Sequence, residues 1–143
     1  MSGDLVATPV SLRSIASYHA HIYFKDQGER DKAALLREWI SSRFVVQIGN
    51  WHDKTVGPHD RAMYQIAFDT DQFARLVPWL MLNRMGLTIL LHPNTKNPRA
   101  DHLTHALWMG EILPIIRPEQ LPDAVTDMRD AEISPNTAPH LTE

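Results

Sequence analysis

Histidine is the residue type in this sequence that offers the most chemistry. The chain has eight histidines, and seven of them fall between positions 19 and 105. A neutral imidazole binds divalent transition metals, and the ring gains or loses a proton near neutral pH. The chain has no cysteine, which excludes disulfides, thiolate metal sites and cysteine nucleophiles. A metal site in this protein would therefore be built from histidine nitrogen and carboxylate oxygen.

Two of the histidines lie one residue apart in the stretch SYHAHIYF, residues 17–24, which is rich in strand-forming residues. Side chains alternate between the two faces of a strand, so His19, His21 and Tyr23 would share one face. The residues between them are apolar and would face a core. One strand is thus predicted to carry both part of the core and part of a functional site.

Apolar periodicity predicts the elements that position this strand. In chain order they are a strand at 17–24, a helix at about 27–42, strands at 43–49 and 62–68, a helix from Thr70 to Gly86 that kinks at Pro78, and a strand at 87–93. This βαββαβ order is the split βαβ pattern of a ferredoxin-like α+β sandwich, in which both helices cover one face of an antiparallel sheet. Residues 104–113 are expected to fold onto the other face as an added strand, unless a second subunit covers it.

The length of the chain predicts a single domain that is large enough to bury its own hydrophobic core. An N-terminal extension is expected over 1–16, the domain over 17–116, and a loosely ordered, proline-rich polar tail over 117–143. The chain has 14 basic against 17 acidic residues and no basic run, which disfavours nucleic-acid binding. Neither a signal-peptide pattern nor an apolar stretch near the ~18 residues of a membrane span is found. A cytoplasmic protein without membrane contact is expected.

The predicted topology brings separate histidines together. The last strand of the sandwich pairs with the first, so His92 would share a face with His21, and His59 precedes another neighbour of the first strand. If the segment 101–111 covers that face, it adds His102, His105 and Glu111. Histidines with a carboxylate and open coordination positions are typical of non-haem iron(II) oxygenases. His52 and His140 are expected to be ordinary surface or capping residues.

Four ordered stretches of the sequence resemble one family. They are HAHIYF, GPH before MYQIAF, LVPWLMLNRMGLTILLHPNT and DHLTHALWMGE, and together they span about residues 17–113. They closely resemble the DOPA 4,5-dioxygenase family, extradiol ring-cleaving enzymes of betalain-type pigment formation in fungi with many bacterial relatives. The resemblance implies a small, commonly dimeric ferredoxin-like subunit that binds iron(II) and cleaves a catechol ring next to its diol with molecular oxygen.

The resemblance also implies a ligand set. His21, His59 and His92 fall on the family's shared histidines and are the predicted metal ligands. Strand parity and adjacency, apart from the resemblance, make His19 the first substitute and Glu111 the likeliest carboxylate. Iron(II) is the expected metal, although zinc or nickel could replace it on purification. Three protein ligands leave room on the ion for both catechol oxygens and dioxygen.

Further residues are candidates for proton transfer and substrate binding. His19 or His105 is predicted to move the catechol proton, and Tyr23 to donate a hydrogen bond to a developing oxyanion. The candidate substrate contacts are Arg61 or Arg99 for a carboxylate and Trp108 for an aromatic ring. The alternative function is a catalytically silent dimeric module that holds a structural or sensory metal or a small molecule. Open coordination positions beside a cavity would distinguish the enzyme from that module.

Overall fold

The computed structural model describes residues 8–143, and its centre is a five-stranded antiparallel sheet. In chain order the elements are β1 (Ser17–Phe24), α1 (Gln27–Arg43), β2 (Gln47–His52), β3 (Ala62–Phe68), α2 (Phe73–Asn83), β4 (Ile89–Asn94), α3 (Pro98–His102) and β5 (Leu107–Met109). Single 3₁₀ turns lie at Leu12–Ser14, Thr70–Gln72, Pro118–Gln120 and Arg129–Ala131. The strand order β2-β3-β1-β4-β5 confirms the predicted ferredoxin-like α+β fold with an added C-terminal strand. Of the predicted N-terminal extension, residues 1–7 lie outside the described part of the chain.

The main hydrophobic core lies between the sheet and its two long helices. β1 contributes Ala20, Ile22 and Phe24 to this core, and all three are buried. α1 begins where a capping residue allows it to, because the Asp26 side chain accepts a hydrogen bond from the backbone N–H of Glu29 at 2.8 Å. The predicted apolar face of β1 is therefore the face that the helices cover.

Three element boundaries differ from the sequence-based prediction. β2 begins at Gln47, where pairing with β3 starts, because the preceding apolar residues enter the core as a connection. Pro78 lies inside one continuous α2, so the helix does not restart near Val77–Trp79. β4 continues through Pro93, which lies opposite Tyr18 and beyond the part of β4 that β5 pairs with. Within the described residues, no helix has the length and apolarity needed to cross a membrane.

The face of the sheet opposite the helices is covered differently from the expectation. β5 does not lie on that face; it extends the sheet edge beside β4. Near the end of β1, a second small core forms on this face from Tyr23, Met63, Leu90 and Leu113. The loop that carries His59, the short helix α3 and the segment 121–131 border the rest of the face, where the histidines lie.

Residues 117–143 have little regular secondary structure, but they lie against the domain. The amide N–H of Val125 donates to the carbonyl oxygen of Lys96 at 2.8 Å. The side chain of Asn136 bonds the backbone N–H and C=O of Ile48, at 2.8 and 3.0 Å. The tail therefore makes specific hydrogen bonds with the domain, where loose order was expected. The Asn136 amide binds backbone groups of β2 that have no neighbouring strand to bond with.

Candidate metal centre

Two neighbouring strands place three imidazoles on the face opposite the helices. His19 of β1 lies directly across from His92 of β4, and His21 lies two residues further along β1. His21 and His92 are each only 2% exposed. Their Nε2 atoms are 3.1 Å apart, a separation that two nitrogen ligands of one ion have when they bind at roughly a right angle with bonds of about 2.0–2.1 Å.

Two further imidazoles reach these strands from outside the sheet. The ring centroid of His59, in the loop between β2 and β3, lies 4.1 Å from that of His21. The ring centroid of His102, at the end of α3, lies 4.2 Å from that of His92. α3 starts at a helix-capping residue, since the Asn97 side chain accepts from Ala100 N at 3.0 Å.

The loop that carries His59 is fixed on both sides of the histidine. The Pro58 carbonyl accepts a hydrogen bond from Ile116 N at 2.8 Å, and the Tyr23 hydroxyl shares a hydrogen bond with His59 Nδ1 at 2.7 Å. Gly57 has φ +57°, a conformation that favours glycine. His59 is consequently buried although it lies in an irregular loop.

The imidazoles form two compact groups that could each hold a metal ion. In each group the candidate ligand atoms lie within 4.8 Å of one another, and the groups are His19, His21 and His92, and His21, His59 and His102. Two nitrogens on one ion lie at most about 4.2 Å apart, so small side-chain movements would close either group. His21 belongs to both groups. The predicted set of His21, His59 and His92 is divided between them.

Hydrogen bonds orient several of these rings for metal binding. Nδ1 of His92 donates to the Pro93 carbonyl and Nδ1 of His102 donates to the Pro98 carbonyl, both at 2.8 Å. A carbonyl only accepts, so each neutral ring keeps its proton on Nδ1 and presents the Nε2 lone pair. Metal-binding histidines are oriented by such backbone contacts. The arrangement therefore fits nitrogen ligation.

His21 has an uncommitted nitrogen at the centre of the site. Its Nδ1 is buried and has no hydrogen-bond partner among the described residues. Burying a polar nitrogen without a partner costs free energy, which a bound ligand can recover. The free Nδ1 favours a ligand on that side of the ring, whereas the 3.1 Å approach to His92 favours an ion at Nε2, so the two observations describe alternative positions around His21.

Burial lowers the pKa of the clustered imidazoles. It lowers the pKa of His19 to about 4 and that of His59 to about 4, with a further contribution from the charge of His102 in both cases. The pKa of His21 and that of His92 are also well below the usual range, again mainly through burial. These rings are neutral at pH 7, and the neutral form is the one that binds metal ions.

The two predicted proton-transfer histidines have different surroundings. His19 borders a cavity, together with His92 and His102. His105 does not belong to either compact group, because its Nδ1 bonds the buried carboxylate of Asp101 at 2.9 Å and its ring is partly exposed. His102 takes the place in the cluster that was expected of His105. The Asn97-Pro98 pair, a helix-start signal, could have indicated this arrangement.

The predicted carboxylate ligand lies outside the histidine cluster. Glu111 accepts two hydrogen bonds from Arg61, at 2.9 and 3.3 Å. These bonds lower the pKa of Glu111. Arg61 and Glu111 therefore bind each other in this structure.

The remaining substrate candidates are also engaged within the chain. Arg99 donates from Nε to the Leu121 carbonyl and from Nη2 to the Glu119 carbonyl, both at 3.0 Å. Trp108 is half-buried, and its ring stacks on that of Tyr23 with 6.0 Å between centroids. Arg99 therefore binds backbone in this structure, and Trp108 contacts the residue that holds His59.

Comparison with known proteins identifies the family. The sequence model of the Dopa 4,5-dioxygenase family matches residues 18–117. The chain belongs to this family. The predicted resemblance is thus confirmed, and it relates the histidine cluster to proteins of dioxygenase type.

Three relatives show how far the family likeness extends. DOPA 4,5-dioxygenase of Amanita muscaria is 31% identical over 109 residues, covering 71% of this chain and 48% of that protein. An uncharacterised 21.2 kDa protein of Botryotinia fuckeliana is 36% identical over 110 residues, covering 69% of this chain and 60% of that protein. The crystal structure of a proposed dioxygenase from Nostoc punctiforme is 48% identical with a TM-score of 0.73, covering 75% of this chain and 92% of that chain. The chain thus spans about half to three fifths of the two fungal relatives.

Proposed function

We propose that this protein is an iron(II)-dependent extradiol dioxygenase that opens the ring of DOPA or a related catechol with molecular oxygen. One observation carries the proposal: imidazoles from β1, β4, α3 and the His59 loop converge, and three of them, His19, His92 and His102, line a cavity of about 270 Å³. Family membership adds the reaction class. Cleavage next to the diol and the catechol substrate are parts of the proposal.

The proposed ligands are His21, His59 and one imidazole of the pair His92 and His102. His92 completes the set predicted from the sequence, whereas His102 completes the compact group that the geometry adds. Bound iron(II) supplies a Lewis-acidic centre with open positions for the two catechol oxygens and for dioxygen. Replacing His92 and His102 by alanine one at a time and measuring iron content decides which of them is the third ligand.

The chain's own side chains perform the proton transfers. His19 borders the cavity, which places it to accept the proton of a catechol hydroxyl and return it to the ring-opened product, while burial lowers its pKa to about 4 in the metal-free protein and so opposes the protonated form. His102 offers a second free Nε2 at the same cavity, in place of the predicted His105. Tyr23 acts by orienting His59, since its hydroxyl already bonds that ring.

Anaerobic reconstitution tests this function. The protein is loaded with iron(II) and mixed with a panel of catechols, and oxygen uptake is recorded beside the absorbance of the ring-opened product. We expect catechol-dependent uptake that His19→Ala lowers by roughly 10²–10⁴ without changing iron content. Stoichiometric iron with no oxygen uptake for any catechol would favour the non-catalytic metal-binding module.

We also infer a homodimer. β5 ends the sheet within the described residues, and beside it Leu107 is half-exposed and Ile112 is 80% exposed. An apolar sheet edge is a surface on which a second copy can pair. Light scattering should give the mass of two chains, and Leu107→Lys should lower it. A wild-type mass of one chain at micromolar concentration would contradict the inference.

A further inference from the structure

The cavity beside the histidines has two walls of different origin. Its inner wall is the histidine face of the sheet with α3, inside the region that defines the family. Its outer wall is the segment 121–131, which we call the wall segment. The family match ends at residue 117. The outer wall is therefore contributed by a part of the chain that lies beyond the family-defining region.

The wall segment is fixed to the domain at both ends. At its start, Arg99 binds the carbonyls of Glu119 and Leu121 through its side chain, and its amide N–H donates to the Pro122 carbonyl at 3.0 Å. At its end, the buried Ser17 hydroxyl donates to the Ala131 carbonyl at 2.6 Å. Because Arg99 belongs to α3, the helix that carries His102 also holds the opposite side of the cavity.

Apolar groups form most of the surface that this segment presents to the cavity. They come from Leu121, Pro122, Val125 and Met128. A cavity of about 270 Å³ is near the lower limit of typical ligand sites, which begin at roughly 300 Å³. These dimensions fit a single aromatic ring with a short side chain lying between the imidazoles and the apolar wall.

The charged side chains that line the cavity are all acidic. Among the described residues they are Asp101, Asp127 and Asp130, with no lysine or arginine. Asp101 is engaged by His105, and Asp127 accepts from Arg129 at 2.7 Å. Asp130 forms no hydrogen bond or ion pair with another described residue. A substrate carboxylate would find no cationic partner here, whereas an ammonium group would meet a carboxylate.

We propose that the wall segment determines substrate specificity and that Arg99 is the positioning residue that holds it. The substrate class is a single-ring catechol whose short side chain is uncharged or carries an amine, in preference to one that carries only a carboxylate. This inference rests on the proposed function. It assigns Arg99 to the wall segment and not to a substrate carboxylate.

Three variants and one control test the wall. Val125→Trp fills the cavity, Arg99→Ala releases the segment and Asp130→Asn removes the free carboxylate. Arg75→Ala is the matched control, because Arg75, on α2, pairs with Glu143 and lies outside the cavity lining. Each protein is first checked for wild-type iron content and thermal midpoint. A variant that fails this check is set aside, and the other two variants then decide the outcome.

Steady-state kinetics use unsubstituted catechol, 4-(2-aminoethyl)catechol and 3,4-dihydroxyphenylacetate. In wild type, kcat/KM should favour the amine over the acid by about tenfold, a difference of about 1.4 kcal/mol. Asp130→Asn should reduce this preference about 2–5-fold, the effect of one partly solvated charge. Val125→Trp and Arg99→Ala should raise KM for both substituted catechols about tenfold, a larger rise than either variant causes for unsubstituted catechol. Arg75→Ala should behave as wild type.

Hydrogen exchange supplies a readout that needs neither metal nor substrate. In the metal-free protein, the Val125 amide donates to the Lys96 carbonyl, and Arg99→Ala should accelerate its exchange about tenfold. If iron-loaded wild type oxidises no catechol, the proposed function fails and the substrate assignment fails with it. Suppose instead that wild type is active, but the variants change neither KM for the substituted catechols, nor the preference for the amine, nor exchange of the Val125 amide. The proposed role of the wall segment is then overturned, and the proposed function stands.

Discussion

The two faces of β1 differ in what holds them together. On one face, Ala20, Ile22 and Phe24 pack into an apolar core that the two long helices cover. On the other face, His19 and His21 contact rings that arrive from another strand, a loop and a short helix. The comparison shows that alternate residues of one strand can serve different purposes, because their side chains point to opposite faces of the sheet. One set stabilises the fold, and the other set is available for chemistry.

The largest effect expected is on the core face. Ile22→Ala should lower the free energy of unfolding by about 2–5 kcal/mol, because it leaves a cavity in a fully buried position. Its neighbour variant His21→Ala should cost the metal-free protein less, since it also removes a buried nitrogen without a partner. Urea denaturation of both metal-free variants measures the two costs. Equal costs would break the proposed division of roles between the faces.

On the histidine face, the largest effect should be on metal binding. His21→Ala should weaken affinity for iron(II) or zinc by more than ~100-fold, because losing a direct ligand should exceed the loss of an outer contact. Ile22→Ala should leave the affinity of the folded protein within a few-fold. Competition with a coloured chelator measures both variants, and His52→Ala, on the outer strand β2, is the histidine control. A His21→Ala protein that binds metal as wild type does would refute the proposed centre.

A smaller effect is expected from the residue that orients His59. Tyr23→Phe removes the 2.7 Å hydrogen bond but keeps the ring in the small core, so metal affinity should fall about 10–100-fold with little change in stability. The same chelator competition and a thermal melt separate the two quantities. A large loss of stability with unchanged affinity would make Tyr23 a core residue only.

Per pH unit, the smallest effect is on the stability of the metal-free protein. Burial holds the pKa of His59 at about 4 in the folded chain, below the value of about 6.5 expected on unfolding. Between these values the unfolded chain binds more protons, so the free energy of unfolding should fall as pH drops from about 6.5 towards 4, by at most about 1.4 kcal/mol per pH unit for this residue.

Denaturation curves at pH 7, 6 and 5 measure this dependence. His59→Gln should make it less steep, since one of the buried imidazoles that titrate on unfolding is gone, and His140→Gln, at an exposed position, should leave it unchanged. An unchanged slope in His59→Gln would show that this imidazole does not titrate with folding.

Local periodicity was sufficient to predict the core face. β1 and β3 lie where the alternating pattern placed them, and α1 starts at its predicted capping residue, Asp26. Where the prediction missed, a non-local contact decided the outcome. Phe44 and Val46 belong to an apolar run that reads as a strand, yet they enter the core before pairing begins.

The histidine face was less predictable, because its members come from distant segments. Strand parity placed His19, His21 and His92 on one face, and the register bears out their proximity. Parity could not choose between His102 and His105, since that depends on one turn of α3 and a hydrogen bond to Asp101. Likewise, Glu111 was a reasonable ligand by type, but its pairing with Arg61 joins residues fifty positions apart.

The central claim is that this histidine face supports the insertion of both atoms of dioxygen into a catechol. Iron-loaded protein is mixed with catechol under ¹⁸O₂. The aldehyde of the product is reduced at once, so that its oxygen does not exchange with water, and the mass of the product is measured by mass spectrometry. Extradiol cleavage predicts an opened ring with one labelled oxygen in the new carboxylate and one in the former aldehyde, and no such product from His21→Ala. An intact ring, or a product with one label or none, would contradict the account.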